Sequence, residues 1–388
     1  MAYITRTLTR ILENLHNIFP IITLTGPRQS GKTTLCRHIY PDLPYINFEN
    51  VQTAMLFDEN PVGYIDSFND GVVIDEAQLK PEVFRALQVV ADEDKFKDRS
   101  RKFIVTGSSN FSIMAKASES MAGRTAPLTL LPLSTHEILD YENEVTTNRL
   151  MYLGGYPHVW TSPESAKEVI IQSYIDTYVE RDLRQLLNIK DLNKFVKFLG
   201  LCAGRIGTEL NRSSLAVETG VTVATVDSWL SVLETSYVIW MLPPWSTNIN
   251  KRLTKSPKLY FCDTGLLCSL LGITEARQLD KYPLRGPIFE NMIVNNFLKS
   301  AYNKGKKPRL SFYRDKTGRE IDLILESAEG LRLYEIKAST GFNPDYFKHI
   351  RYFEKTFPDK VFSASVIYDG QTTETANVYS FREHSLYC

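Results

Sequence analysis

The sequence lacks the features that mark several large protein classes. Its five cysteines, Cys36, Cys202, Cys262, Cys268 and Cys388, form neither a Cys-x-x-Cys pair nor an even framework. That argues against a zinc ribbon or a disulfide scaffold and leaves reduced thiols in or near the core. Low-complexity segments and internal repeats are missing too. Charge of one sign is not in excess: 45 Lys and Arg stand against 45 Asp and Glu, which excludes a histone-like basic coat, although a zero sum can hide opposed regions. No long hydrophobic run is present. The longest uncharged apolar stretch, 236–250, is broken by Pro243 and Pro244, well short of the ~20 residues that cross a bilayer. The first turns carry Arg6, Arg10 and Glu13 with no apolar segment behind them, so a soluble, cytoplasmic protein without a membrane partner is expected.

What is present is the composition of a folded protein, with 43% hydrophobic and 23% charged residues. A length of 388 residues suggests two or three domains. Leu8, Ile11, Leu12, Leu15 and Ile18 recur at helical spacing, predicting a helix over 7–19 that Pro20 ends. The β-branched run Ile21 to Thr25 reads as a buried strand, and further apolar runs follow at 44–48, 72–74 and 102–106. Strands alternating with helical stretches indicate an α/β fold with a parallel sheet over 1–145. Residues 146–262 turn helical, with a stripe of Ile170, Ile171, Tyr174, Ile175, Tyr178 and Val179. Within them, 213–233 reads as helix, Gly220 turn and helix, and 236–242 with 258–261 would supply a wing. An ordinary helical hairpin is the alternative. Residues 263–388 return to α/β, with strands expected at 310–314, 320–326, 331–337 and 362–368 and helices at 287–299 and 345–357.

Gly26-Pro27-Arg28-Gln29-Ser30-Gly31-Lys32-Thr33 fits GxxxxGK[ST] between a predicted strand and a predicted helix, the context that a phosphate loop requires. Its backbone N–H groups and the helix N-terminus would face phosphate oxygens of ATP. Lys32 would reach the β and γ phosphates, the Thr33 hydroxyl would ligate Mg²⁺, and Thr34 lines the same turn. Val72 to Ile74 leads into Asp75 and Glu76, assigned to holding the metal and polarising the attacking water, which favours hydrolysis over transfer to a second substrate. Ser108, after the strand 103–106, is assigned to γ-phosphate sensing, and Arg124 to an arginine finger or sensor. Arg181 and Arg184 are weaker candidates for that role from a neighbouring copy, which keeps a homo-oligomer among the expectations.

A second constellation lies near the C-terminus. Glu290 sits on a helix, Asp322 on a strand, and Glu335 and Lys337 share a face of the next strand because side chains alternate there with period two. Three carboxylates and a lysine would make a hard-oxygen Mg²⁺ site suited to cutting a phosphodiester. Glu320 is the alternative to Glu290, and a solvated hairpin face is the bland reading.

Together, the phosphate loop, Ile74-Asp75-Glu76-Ala77-Gln78, Leu153-Gly154-Gly155-Tyr156-Pro157 and 258–266 resemble a widespread family of prokaryotic AAA-type ATPases with a C-terminal region of formerly unknown function. The resemblance implies an ATPase domain over 1–145, a helical and winged-helix domain over 146–262 and a restriction-endonuclease-like PD-(D/E)xK domain over 263–388. In that nuclease superfamily the pattern is a helix Glu, a strand Asp, then Glu-x-Lys, which Glu290, Asp322, Glu335 and Lys337 match; Ile321 stands where a Pro often precedes the Asp. The expected function is ATP hydrolysis coupled to Mg²⁺-dependent cleavage of DNA, branched or junction DNA by analogy. The alternatives are a non-cleaving, ATP-dependent nucleic-acid switch and, less favoured, a phosphotransferase. Charge agrees with a DNA partner: residues 1–145 carry 14 basic against 19 acidic side chains, whereas 190–262 carry nine against five and 263–388 carry 18 against 16. Lys251, Arg252, Lys255 and Lys258, and Lys304, Lys306, Lys307 and Arg309, are the basic clusters behind that excess.

Overall fold

The structure, a computed structural model, describes residues 3–107, 121, 123–177, 191–248 and 255–387. Five strands, β1 (Ile21–Thr25), β2 (Tyr45–Asn47), β3 (Gly71–Asp75), β4 (Lys102–Thr106) and β5 (Thr125–Thr129), pair in parallel in the order β2-β3-β4-β1-β5. Alternation along each strand divides the core between two faces. Ile21, Val72 and Ile74 pack with Phe57, Phe84, Leu87 and Val90. Ile22, Leu24 and Val73 pack with Leu8, Leu12, Leu35 and Cys36 on the other. Helices therefore cover both faces, as parallel strands require. The first helix, Thr9–His16, is shorter at both ends than its apolar periodicity suggests. Strand β5 was not expected because Pro127 interrupts it; as the sheet edge it tolerates the missing N–H.

In the middle of the chain, helices Arg212–Thr219 and Val223–Thr235 join at Gly220, whose left-handed backbone (φ 73°) closes the first. The strands expected as a wing pair antiparallel as β6 (Ile239–Leu242) and β7 (Lys258–Phe261). They do not project. Every residue of β7 is buried, Pro244 bridges Phe312, and Trp245 packs on Tyr313, Phe353 and Phe357.

The second sheet runs β12-β11-β10-β9-β8, with β8 (Leu310–Arg314), β9 (Glu320–Glu326) and β10 (Leu331–Lys337) antiparallel and β10, β11 (Val361–Tyr368) and β12 (Val378–Ser380) parallel. Leu323 and Tyr334 share a cluster with Phe297 of the helix Arg285–Asn303, while their neighbours Ile324 and Leu333 pack with Ile350 and Phe353 of the helix Lys348–Thr356. One buried cluster extends from Ile4 and Leu131 through Leu230 and Phe261 to Phe289 and Tyr387. Cys262 and Asp263, on either side of the expected boundary at 262/263, are both buried. Among the described residues no helix is long and apolar enough to cross a membrane, and the four described cysteines are free and buried.

Candidate nucleotide site and a second acidic cluster

The phosphate loop leaves the carboxyl end of β1, between β4 and β5, where open parallel sheets bind ligands. Gly26 is required there: at φ 144° a Cβ would stand 2.1 Å from the Leu130 carbonyl oxygen. Gly31, left-handed at φ 92°, starts the helix Lys32–Ile39. The buried Lys32 ammonium donates to the carbonyls of Gly26 (2.9 Å) and Pro27 (2.8 Å). Burial pushes it down to about 8, against the pull of Glu76 and Asp75. The buried Ser30 hydroxyl has no hydrogen-bond partner among the described residues. Behind the loop, the buried Arg6 guanidinium holds the Ser30 carbonyl (2.8 Å), the Leu131 carbonyl (2.6 Å) and Glu137 (3.2 Å).

Asp75 ends β3 and accepts from the hydroxyls of Thr33 (2.6 Å), Tyr45 (2.7 Å) and Thr106. Burial alone would raise its carboxyl; the three hydroxyls and the Glu76 N–H outweigh it and hold Asp75 below its ordinary value. Glu76 follows in a left-handed conformation (φ 53°) and accepts from the Gln78 amide. Lys32, Thr33, Asp75 and Glu76 line a cavity of about 600 Å³ together with Arg28, Gln29 and Thr34. Its far wall comes from the middle of the chain: Pro157, His158, Thr161 and Thr177. That wall is anchored through Gly155, whose N–H donates to the buried Asp263 (2.6 Å) and whose carbonyl accepts from Leu133 (2.7 Å). The Gly-Gly-Tyr-Pro and Asp-Thr-Gly segments thus meet as one joint.

One expected residue is placed differently. Arg124 precedes β5 at the opposite end of the sheet, beside Ile21, and grips Asp92 through two bonds (2.6 and 2.9 Å). It does not reach the cavity of its own chain. Ser108, Arg181, Arg184, Lys251 and Arg252 lie outside the described residues.

At the second constellation, Lys337 contacts Glu335 (2.7 Å) and Asp322 (3.5 Å), and Asp322 also accepts the Ile336 N–H (2.8 Å). Burial, reinforced by Asp322, pushes Glu335 up to about 8 despite Lys337. Its Oε2 is buried without a hydrogen-bond partner among the described residues. Glu290 is turned to other partners, Lys258 (3.0 Å) and the Tyr260 hydroxyl, and Lys258 also holds Glu320 (2.5 Å). Burial would lower the Lys258 ammonium, yet Glu290, Asp322 and Glu320 hold it above its ordinary value. Lys258 is therefore not a wing residue facing phosphate but a buried counter-ion, 1% exposed. Among the described residues no three acidic groups converge closely enough to hold a metal ion.

Sheet order, phosphate loop and Asp75 together define a P-loop ATPase domain, and a family model described as an AAA domain matches residues 19–139. Two models described as domains of unknown function, DUF8612 and DUF4143, match 145–277 and 285–382. The chain belongs to the same family as the uncharacterized protein Rv2008c of Mycobacterium tuberculosis, 32% identical over 340 residues that cover 85% of this chain and 73% of that one. It is also similar to the uncharacterized protein MJ1544 of Methanocaldococcus jannaschii, 23% identical over 374 residues covering 87% of this chain and 79% of that one. Among solved structures, the Walker-type ATPase PABY2304 of Pyrococcus abyssi is similar at 16% identity and a TM-score of 0.48, covering 69% of this chain and 96% of that one.

Proposed function

We propose that the chain hydrolyses ATP and uses the cycle to act on DNA. The observation that carries the ATPase reading is Asp75, held by three neutral hydroxyls beside Lys32 at the mouth of the phosphate loop. The donor set fits Mg²⁺, because Thr33 and Asp75 offer hard oxygens and leave the remaining positions to phosphate and water. Thr33 and Asp75 would hold the ion, which would supply charge neutralisation to the phosphates. Lys32 exchanges the Gly26 and Pro27 carbonyls for β- and γ-phosphate oxygens. Glu76, steadied by Gln78, accepts the proton of the water that attacks the γ-phosphorus while the bond to the ADP oxygen breaks. Phosphate release measured for wild type, Lys32→Ala and Glu76→Gln tests this; turnover that survives both substitutions sinks the assignment.

DNA is the proposed partner. Support comes from Lys306, Lys307 and Arg309, exposed and gathered with Lys304 around a cavity of about 570 Å³ beside β8. The second helix of the helix-turn-helix exposes Val223, Ala224, Asp227, Ser228, Ser231 and Glu234 but no basic residue, so phosphate contacts fall to that C-terminal cluster instead. Arg124 is kept only as a finger for a neighbouring copy, within a homo-oligomer. The division into 1–145, 146–262 and 263–388, the winged-helix reading and the nuclease-like reading of the last segment belong to the same proposal.

Endonuclease activity is a second reading, favoured by the partnerless Glu335 oxygen beside Asp322 and Lys337. The carboxylates as arranged do not fit a three-ligand Mg²⁺ centre, because Glu290 and Glu320 are engaged by Lys258. No cutting step is derived from them. Four-way-junction cleavage by wild type and Lys337→Ala, with and without ATP, separates a nuclease from a non-cleaving switch.

A further inference from the structure

The disagreement between the acidic cluster and the ion it would hold has a specific cause. Lys258 begins β7 in the middle of the chain, not in the segment that carries the acids. Its ammonium is buried and bonds two of the four carboxylates, Glu290 at 3.0 Å and Glu320 at 2.5 Å. The approach is built in. The Glu209 bridge fixes the strand, and the Tyr260 hydroxyl donates to the same Glu290 oxygen. The remaining pair, Asp322 and Glu335, shares Lys337, and Glu335 Oε2 is left buried and partnerless. Four carboxyl groups share two ammoniums, with Arg314 3.6 Å from Glu320.

We propose that Lys258 is the resident cation of this cluster, its ammonium holding Glu290 and Glu320 so that the four carboxylates as arranged do not take a divalent ion. The physical reason is that a divalent ion needs carboxylate oxygens at roughly 2.0–2.6 Å, and an ammonium already on two of them blocks that approach and repels a second cation. β7 runs directly into Asp263, the anchor of the Gly155 loop that carries Pro157 and His158 into the wall of the nucleotide cavity. The cluster is thus tied by one short strand to the site that ATP would fill.

The inference rests on reading the C-terminal segment as a cation-dependent site, and its test separates the two. Mn²⁺ binding to the full chain is followed by electron paramagnetic resonance, with Asp75→Asn in every arm to silence the phosphate-loop site. The arms are the otherwise unchanged chain, Lys258→Met, Lys258→Gln, and each of these with Glu335→Gln. Circular dichroism verifies folding, and Lys258→Gln, which keeps a donor for Glu290 without the charge, stands in if Lys258→Met does not fold. The expected result is weak binding with Lys258 present, at least about tenfold tighter binding without its charge, and loss of that gain on adding Glu335→Gln. Equal, Glu335-dependent binding with and without Lys258 overturns the role of Lys258. Absence of Glu335-dependent binding in every folded arm overturns the cation-site reading itself.

Discussion

Two regions of this molecule place carboxylates beside a buried lysine, and they do so in opposite ways. At the phosphate loop, Asp75 is held by neutral hydroxyls and Lys32 by backbone carbonyls. Such bonds exchange cheaply for phosphate and metal. At the C-terminal cluster, Glu290 and Glu320 are held by the ammonium of Lys258, whose removal leaves buried charge uncompensated. A carboxylate held by hydroxyls is ready for a cation; one held by lysine already has one.

The sharpest way to break that comparison is to exchange the two lysines' fates. Lys32→Ala should lower ATP turnover by about 100-fold or more, whereas Lys337→Ala should leave it within about twofold. Phosphate release under saturating ATP reads both, and an equal loss from the two would merge what we treat as separate sites. Next in size, Lys258→Met should cost about 3–5 kcal/mol, because it strands Glu290 and Glu320. Urea unfolding followed by tryptophan fluorescence is suited to this, since Trp160, Trp229, Trp240 and Trp245 all lie outside the ATPase segment. A near-neutral outcome would mean that the pair is not buried as described.

Acid should then distinguish the regions. His16, against the Phe103 carbonyl and the Tyr40 hydroxyl, is pushed down to about 4 by burial. Its folded value lies below the unfolded one of about 6.5, so the unfolded chain takes up the proton first. Stability is then full above about 6.5 and falls by up to about 3 kcal/mol as pH drops through 4. Hydrogen exchange in β1 and β4 should rise over that window, and His16→Gln should flatten the rise. The smallest effect is expected from Tyr45→Phe, which removes one of three hydroxyl donors to Asp75. It should cost about 1 kcal/mol in thermal unfolding while ATPase activity persists.

Much of both sheets was legible in the sequence because the signals are local. The bounds of β1, β4, β8, β9 and β10 follow from runs of apolar and β-branched residues, and the phosphate loop from the spacing of Gly26, Gly31, Lys32 and Thr33. Other parts had no local signal. Pro127 hid β5, and nothing in their neighbourhood marked Arg6, Tyr45, Thr106 or His158 as belonging to the nucleotide site. Arg124 read as a finger because its sequence context carries no hint of Asp92 or of the sheet end it occupies.

What the sequence determined by itself is the kind of chemistry at the first site: a phosphate loop between strand and helix, then two acids ending a buried strand, each set by residues within a few positions of one another. Tertiary structure alone decided what surrounds the second. Glu335 and Lys337 share a face by the period of the strand, but their partners come from far along the chain, and Lys258, 32 residues before Glu290, reaches the cluster only because β7 is buried against the C-terminal sheet. Whether a carboxylate meets a hydroxyl or an ammonium depends on packing between distant segments, and no pattern within either segment encodes it.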